Sequence, residues 1–164
     1  MRLHAWGAAV EVRTTAEPSR LGEVPRRQSA ILERMGVPIV VADEAVGLPS
    51  ADLLVDALIG YSLRGAPSGA AAALVRAANG HGAPILALDV PSGLDSTTGE
   101  VHEPAVRAAA TLTLALPKRG LRAEGAQGHV GELYLADIRV PPALYAGMGL
   151  EVGPLFARDD VVRL

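Results

Sequence analysis

Three stretches of the sequence carry a group able to do chemistry to the end of an apolar run: VDALIGYSLRGAP (55–67), ALDVPSGLDSTTGEV (87–101) and ATLTLALPKRGL (110–121). In the second, Asp89 closes a run that reads as a buried strand, and Pro91, Ser92, Gly93 and Gly99 come after it in a tightly turned loop. A carboxylate at a strand mouth lies near the backbone amides of the next turn, which hold it ionised. Pro91 fixes φ, Gly93 allows a close backbone approach to a ligand, and the Ser92 hydroxyl can donate to a ligand or bind a hard cation. An Asx-type turn that merely closes a loop explains the same cluster. In the first stretch Asp56 sits inside an apolar run, where a carboxylate needs a cation, a metal or hydrogen bonds. The loop after it, Gly60 to Ala66 with Arg64 and Gly65, can offer N–H groups to phosphate, although it is neither G-x-G-x-x-G nor a P-loop. In the third, Lys118 is one lysine among fifteen basic residues, the other fourteen being Arg. A solvated loop lysine is the ordinary reading. A charge matched to a phosphate or to an acidic partner such as Asp89 is the functional one.

The surrounding pattern alternates strands and helices. Strands are expected at 8–14, 37–42, 51–60, 83–90, 110–116 and 130–138. Helices are expected at 19–36 (broken near Pro25 and stopped at Gly36), at 68–82 and, with Pro104 in its first turn, at 103–109. Near-continuous apolar strands separated by helices predict an α/β fold, a mostly parallel sheet covered on both faces in a three-layer αβα sandwich. Ligands of such sheets bind beyond the carboxyl ends of the strands, and Asp56, Asp89 and Lys118 all fall there. Residues 141–164, rich in Pro and Gly, read as a C-terminal tail or linker.

Composition narrows the function. A net charge of −3 with no basic tract, and only 3% aromatic residues, argue against nucleic acid as a partner. The apolar runs are too short for a membrane span, and no signal peptide is recognisable. The absence of cysteine fits a reducing compartment, so a cytoplasmic protein is expected. The four histidines show no metal-ligand spacing, and there is no nucleophile elbow.

Taken together, the three stretches resemble the successive signatures of the NAD(P)H-hydrate epimerase family, the YjeF N-terminal domain, over residues 1–140. The resemblance implies a Rossmann-like domain, usually a homodimer, that interconverts the R and S epimers of hydrated NADH or NADPH so that a partner dehydratase can restore the cofactor. It implies that Asp56 and Ser92 bind a potassium ion. It further implies that Gly60, Tyr61, Ser62, Leu63, Arg64, Gly65, Ala66 and Asp89 bind the hydrated nucleotide, and that Lys118 matches the family's usual lysine. Epimerisation is easiest by expelling the hydroxyl, and a carboxylate beside the resulting cation stabilises charge that appears only as the bond breaks. Asp89 and Lys118 are therefore the expected catalytic residues.

Members of the family carry, ahead of this region, a strand and an N-N-G-G-D-G loop that supplies a further potassium ligand. MRLHAWGAAVEV resembles the end of the helix after that loop, running into the second strand. The expectation is an N-terminally truncated domain missing its first strand, with a misassigned start or a fragment as the cause. Residues 141–164 resemble the connection that leads, in fused members, into an ADP- or ATP-dependent dehydratase. The alternative is a catalytically impaired nucleotide-binding or scaffold module of the same fold. A nicotinamide-dependent oxidoreductase ranks last, for want of the G-x-G-x-x-G fingerprint.

Overall fold

The short β-branched and Leu-rich runs form strands where they were expected, but the strands assemble into two sheets rather than one. A computed structural model describes residues 2–45 and 47–164. The chain divides into two compact units, residues 1–47 with 68–74, and residues 48–67 with 75–164.

The first unit holds α1 (Arg2–Ala5), β1 (Val12–Thr14), a 3₁₀ turn (Pro18–Arg20), α2 (Glu23–Arg34) and β2 (Ile39–Val41). β1 and β2 pair in parallel, with Val12 opposite Ile39. α2 is not broken at Pro25. It begins at Glu23, so Pro25 lies in the first turn, where a backbone N–H would have no intrahelical acceptor. Gly36, at φ +73°, ends it in the left-handed conformation that favours glycine.

The second unit holds the rest. β3 (Leu54–Asp56) is followed by α3 (Gly69–Gly80), whose last residues lie in this unit. Then come β4 (Ile85–Leu88), β5 (Ala110–Leu114), α4 (Gln127–Val130), β6 (Glu132–Ala136), α5 (Pro142–Gly147) and β7 (Val161–Arg163). The five strands lie in the order β3-β4-β5-β6-β7, parallel except for β7, which runs antiparallel to β6. Two apolar clusters support this sheet. One joins Val75 of α3 to Ile85, Ala87, Val106 and Ala108, and the other joins Val90, Leu94, Leu121, Ala126 and Val130. The result is a mostly parallel, Rossmann-like α/β fold.

Two further expectations are corrected. Residues 103–109 are not helical. Their backbone groups go to distant partners instead: Val106 N–H donates to Ser92 O, Arg107 N–H to Asn79 Oδ1 and Ala108 N–H to His129 O, while Ala105 O accepts from Asn79 Nδ2. An isolated turn of helix has no comparable compensation for its ordering cost. Nor is 141–164 a mere tail or linker. Val162 pairs with Leu135, and Asp137 N–H donates to Asp160 O at 2.8 Å, so the segment returns to complete the sheet.

Gly131, between α4 and β6, shows how closely the backbone packs. Its φ is +61°, and an added Cβ would lie 2.3 Å from Ala109 O and 2.5 Å from Ala108 O. Ala109 O accepts Glu132 N–H at 3.0 Å where β6 begins to pair with β5, so it cannot yield without disturbing that pairing. Gly131→Ala is therefore expected to lower unfolding free energy by about 2–4 kcal/mol, read as a urea midpoint shift at unchanged m-value.

Candidate functional site

The register of β4 against β5 builds the site. Leu88 lies opposite Leu112, and the ladder extends one step further through Asp89 N–H, which donates to Leu112 O at 2.9 Å. There β4 stops. Asp89 takes φ +69°, and Val90 N–H turns back to Leu88 O at 2.9 Å. Aspartate tolerates this left-handed region better than most residues, yet its use at a strand end is uncommon. In a parallel sheet alternate residues direct their backbone groups to the same neighbouring strand. Leu114, two residues beyond Leu112, therefore presents its N–H and C=O toward β4 where β4 has already turned away.

Side chains fill the vacated ladder positions. Leu114 N–H donates to Asp89 Oδ1 at 3.3 Å, and Lys118 Nζ donates to Leu114 O at 2.7 Å. Lys118 Nζ also donates to Asp89 Oδ1 in a close ion pair, and Thr113 Oγ1 lies 3.4 Å from the same oxygen. The two charged side chains are only 17% (Asp89) and 22% (Lys118) exposed, so their attraction is less screened than that of a surface pair. Asp89 Oδ2 receives no hydrogen bond among the described residues and is not buried; it faces Gly60, where an added Cβ would lie 3.7 Å away.

A second network stands beside the first. Asp56, the last residue of β3, is 6% exposed. Ser92 N–H donates to its Oδ2 at 2.7 Å, Ser92 Oγ to its Oδ1 at 2.6 Å, and Leu58 N–H to its Oδ1 at 3.2 Å. Burial pushes the Asp56 carboxyl above its ordinary value, opposed by the Ser92 hydroxyl and by the Ser92 and Leu58 amides. Ile59 N–H donates to Ser92 Oγ at 2.9 Å, so the 58–60 turn ties Asp56 and Ser92 to the approach to Asp89. The acceptors here are all oxygens: the carboxylate, the hydroxyl and Ile59 O, 3.3 Å from Ser92 Oγ. By donor type they fit a hard alkali cation. No group of three or more His, Cys, Asp or Glu suited to a metal ion occurs among the described residues.

The structure thus brings Asp89 to Lys118, and Asp56 to Ser92, as two adjoining networks. Of the residues expected to bind nucleotide, Gly60 reaches Asp89. Tyr61, Ser62, Arg64, Gly65 and Ala66 are exposed and Leu63 is half-buried, in a loop turned by Leu63 N–H on Gly60 O. Gly93 plays a different part from the one expected. At φ +98°, its missing Cβ would lie 2.6 Å from Ala105 Cα, so the close approach is to the chain's own 104–105 backbone and not to a ligand. Sequence reasoning missed Thr113 and the backbone of Leu114. The available signal for Thr113 was a polar side chain in an apolar central strand, which must find a partner when fully buried.

The loop after Ser92 is fastened to the loop after Lys118. Gly120 N–H donates to Ser96 O at 2.8 Å, and a Cβ on Gly120 would lie 2.3 Å from Asp95 O. Gly99, at φ +79°, faces Ala123 and Gly120 with as little room.

Comparison with known proteins shows the family. Residues 1–120 match the family described as YjeF-related protein N-terminus, and the chain belongs to that family. A protein of Dehalogenimonas lykanthroporepellens named NAD(P)H-hydrate epimerase is 44% identical over 147 residues, covering 88% of this chain and 57% of the relative. One of Pyrobaculum aerophilum named bifunctional NAD(P)H-hydrate repair enzyme Nnr is 41% identical, covering 85% of this chain and 29% of the relative. The chain thus spans little more than half the length of the first relative and under a third of the second. The crystal structure of yeast ynu0, YNL200c, has a TM-score of 0.77 at 21% identity over 99% of this chain and 69% of that one, a likeness of fold.

The 95–99 loop gives a pH test of the fastening. Backbone N–H groups of Thr98 and then Thr97 hold the Asp95 carboxyl below its ordinary 3.8. A carboxyl lowered in the folded state stabilises it above the unfolded value, and that contribution is lost as pH falls from there through the folded value. Acidification from about pH 6 to about pH 3 should therefore lower the urea midpoint of the native chain more than that of Asp95→Asn.

Proposed function

We propose that the chain is an NAD(P)H-hydrate epimerase, an isomerase that interconverts the R and S hydrates of NADH and NADPH in nucleotide repair, with Asp89 and Lys118 as its catalytic residues. The names of the relatives, at up to 44% identity, support the reaction. One observation supports the residues: Asp89 keeps Oδ2 open beside Gly60 while Oδ1 is held by Lys118, Thr113 and Leu114.

The chemistry comes from the substrate. The reacting carbon bears a hydroxyl and is bonded to the ring nitrogen. A proton delivered to the hydroxyl lets it leave as water, taking the C–O bonding pair, and the nitrogen lone pair stabilises the cation left behind. Water then adds to the opposite face and returns a proton. Lys118 has three N–H donors, of which Asp89 and Leu114 O take two, so the third is free to serve the departing hydroxyl. The open oxygen of Asp89 is the group proposed to stabilise that positive charge, and its partners hold it in advance without need to reorganise.

The largely exposed 60–66 loop is the proposed cradle for the nucleotide, with backbone N–H groups and Arg64 available to phosphate. Asp56 and Ser92 would hold a potassium ion, which would supply positive charge near those phosphates and fix the 58–60 turn. A cytoplasmic location accords with the absence of cysteine, and no helix among the described residues is long and apolar enough to cross a membrane. A homodimer, and a dehydratase partner fused or separate, complete the proposal; relatives named bifunctional support the fused arrangement.

The reaction is tested by measuring exchange between chromatographically separated epimers of hydrated NADH. Asp89→Asn should reduce kcat about 10²–10³-fold, with hydrate binding still measurable. Unchanged turnover would remove Asp89 from the mechanism. A native chain that is stabilised by hydrate without exchanging it would favour the binding-module alternative. Potassium is tested separately: it should raise Tm more than tetramethylammonium at equal ionic strength, and Asp56→Asn should abolish the difference.

A further inference from the structure

We propose that Ala115 is a positioning residue for the Asp89–Lys118 pair, acting through its left-handed backbone and not through its side chain. Ala115 has φ +65°, one of three positive values at described non-glycine residues, and Asp89 is another. The two come just after the ends of adjacent strands and make the same tight turn. At Ala115, Leu116 N–H donates to Leu114 O at 2.8 Å, as Val90 N–H does to Leu88 O around Asp89. A hydrogen-bonded three-residue turn with positive φ at its centre is rare and strained, and alanine has no side-chain group to compensate.

Two consequences bear on the site. The turn ends β5 at Leu114, leaving that residue's N–H to Asp89 and its C=O to be shared by Leu116 N–H and Lys118 Nζ. It also reverses the chain, so that Lys118, four residues after Leu114, reaches back to that carbonyl. Ala115 N–H meanwhile donates to Ala136 O at 3.0 Å, which anchors the turn to β6. With ordinary extended backbone at 115, the chain would continue along the sheet and carry Lys118 away from Asp89.

Ala115 lines a half-open cavity of about 330 Å³ with Asp137, Tyr145 and Phe156 among its walls. Ala115 is half-buried, and a series of Gly, Asn and Val at this position separates bulk from backbone. Gly and Asn adopt positive φ readily; a β-branched residue does so at a large cost.

The test uses the full chain and two readouts. Lys118 is the sole lysine, so labelling with lysine carrying ¹³Cε and ¹⁵Nζ gives one side-chain signal that reports its pairing directly. Ala115→Gly and Ala115→Asn should keep the native Nζ shift and slow exchange, with kcat within about threefold of native. Ala115→Val should release the Nζ signal toward that of a solvated lysine and reduce kcat at least about tenfold while KM stays within about threefold. Native signal and kcat in folded Ala115→Val would overturn the proposal. So would loss of the signal in Ala115→Asn, because the effect would then be bulk and not backbone. If Ala115→Val does not fold, the Gly and Asn variants decide: the native signal in both upholds the proposal, and its loss in either overturns it. The kinetic arm rests on the epimerase reading and the spectroscopic arm does not. An inactive native chain with an intact Lys118 signal would therefore sink that reading and leave this one standing.

Discussion

Two backbone groups of Leu114 face a strand that is no longer there. β4 turns away at Asp89 while β5 continues, so the N–H and C=O that would have met β4 need other partners. An unpaired polar group at the edge of the interior costs about 1–3 kcal/mol, enough to demand a replacement. The carboxylate of Asp89 supplies it for the N–H, the C=O takes Leu116 N–H together with the ammonium of Lys118, and the two side chains bind each other. The pair that can do chemistry is thus part of the hydrogen-bonded sheet. Its geometry is set by the ends of two strands.

The same economy governs the neighbouring carboxylate. Asp56 ends β3 and is satisfied by Ser92 and by the turn at Leu58, so its carboxyl stays buried without an unpaired atom. Because Ser92 also receives Ile59 N–H, the approach to Asp89 past Gly60 is fixed from the Asp56 side. From the other side, Gly99 and Gly120 press the two loops together backbone to backbone. Groups held from both sides in this way are preorganised.

Much of this was legible in residue order. Asp56, Asp89 and Lys118 each come at or after the end of an apolar run, and parallel sheets place ligands at those ends, so pattern alone put them on a common rim. The three stretches in their order pointed to the family. The 103–109 segment was illegible because its helix-like composition is overridden by Asn79, His129 and Ser92, each remote in sequence. β7 was illegible for a related reason: a three-residue strand has no period to detect and forms only against β6. Gly93 was misread because glycine's missing Cβ announces a close approach without saying to what.

By itself the sequence determined which groups were available, how far apart along the chain they lay, and on which kind of element. It placed one lysine and one aspartate at the ends of two strands. Only the tertiary structure decided that those strands are neighbours, that one stops before the other, and that Thr113, Leu114 and Ala115 hold the pair in place. The physical reason is that a backbone N–H or C=O looks the same at every position in a sequence. Whether it is paired depends on where a distant strand ends, and that is a property of the fold.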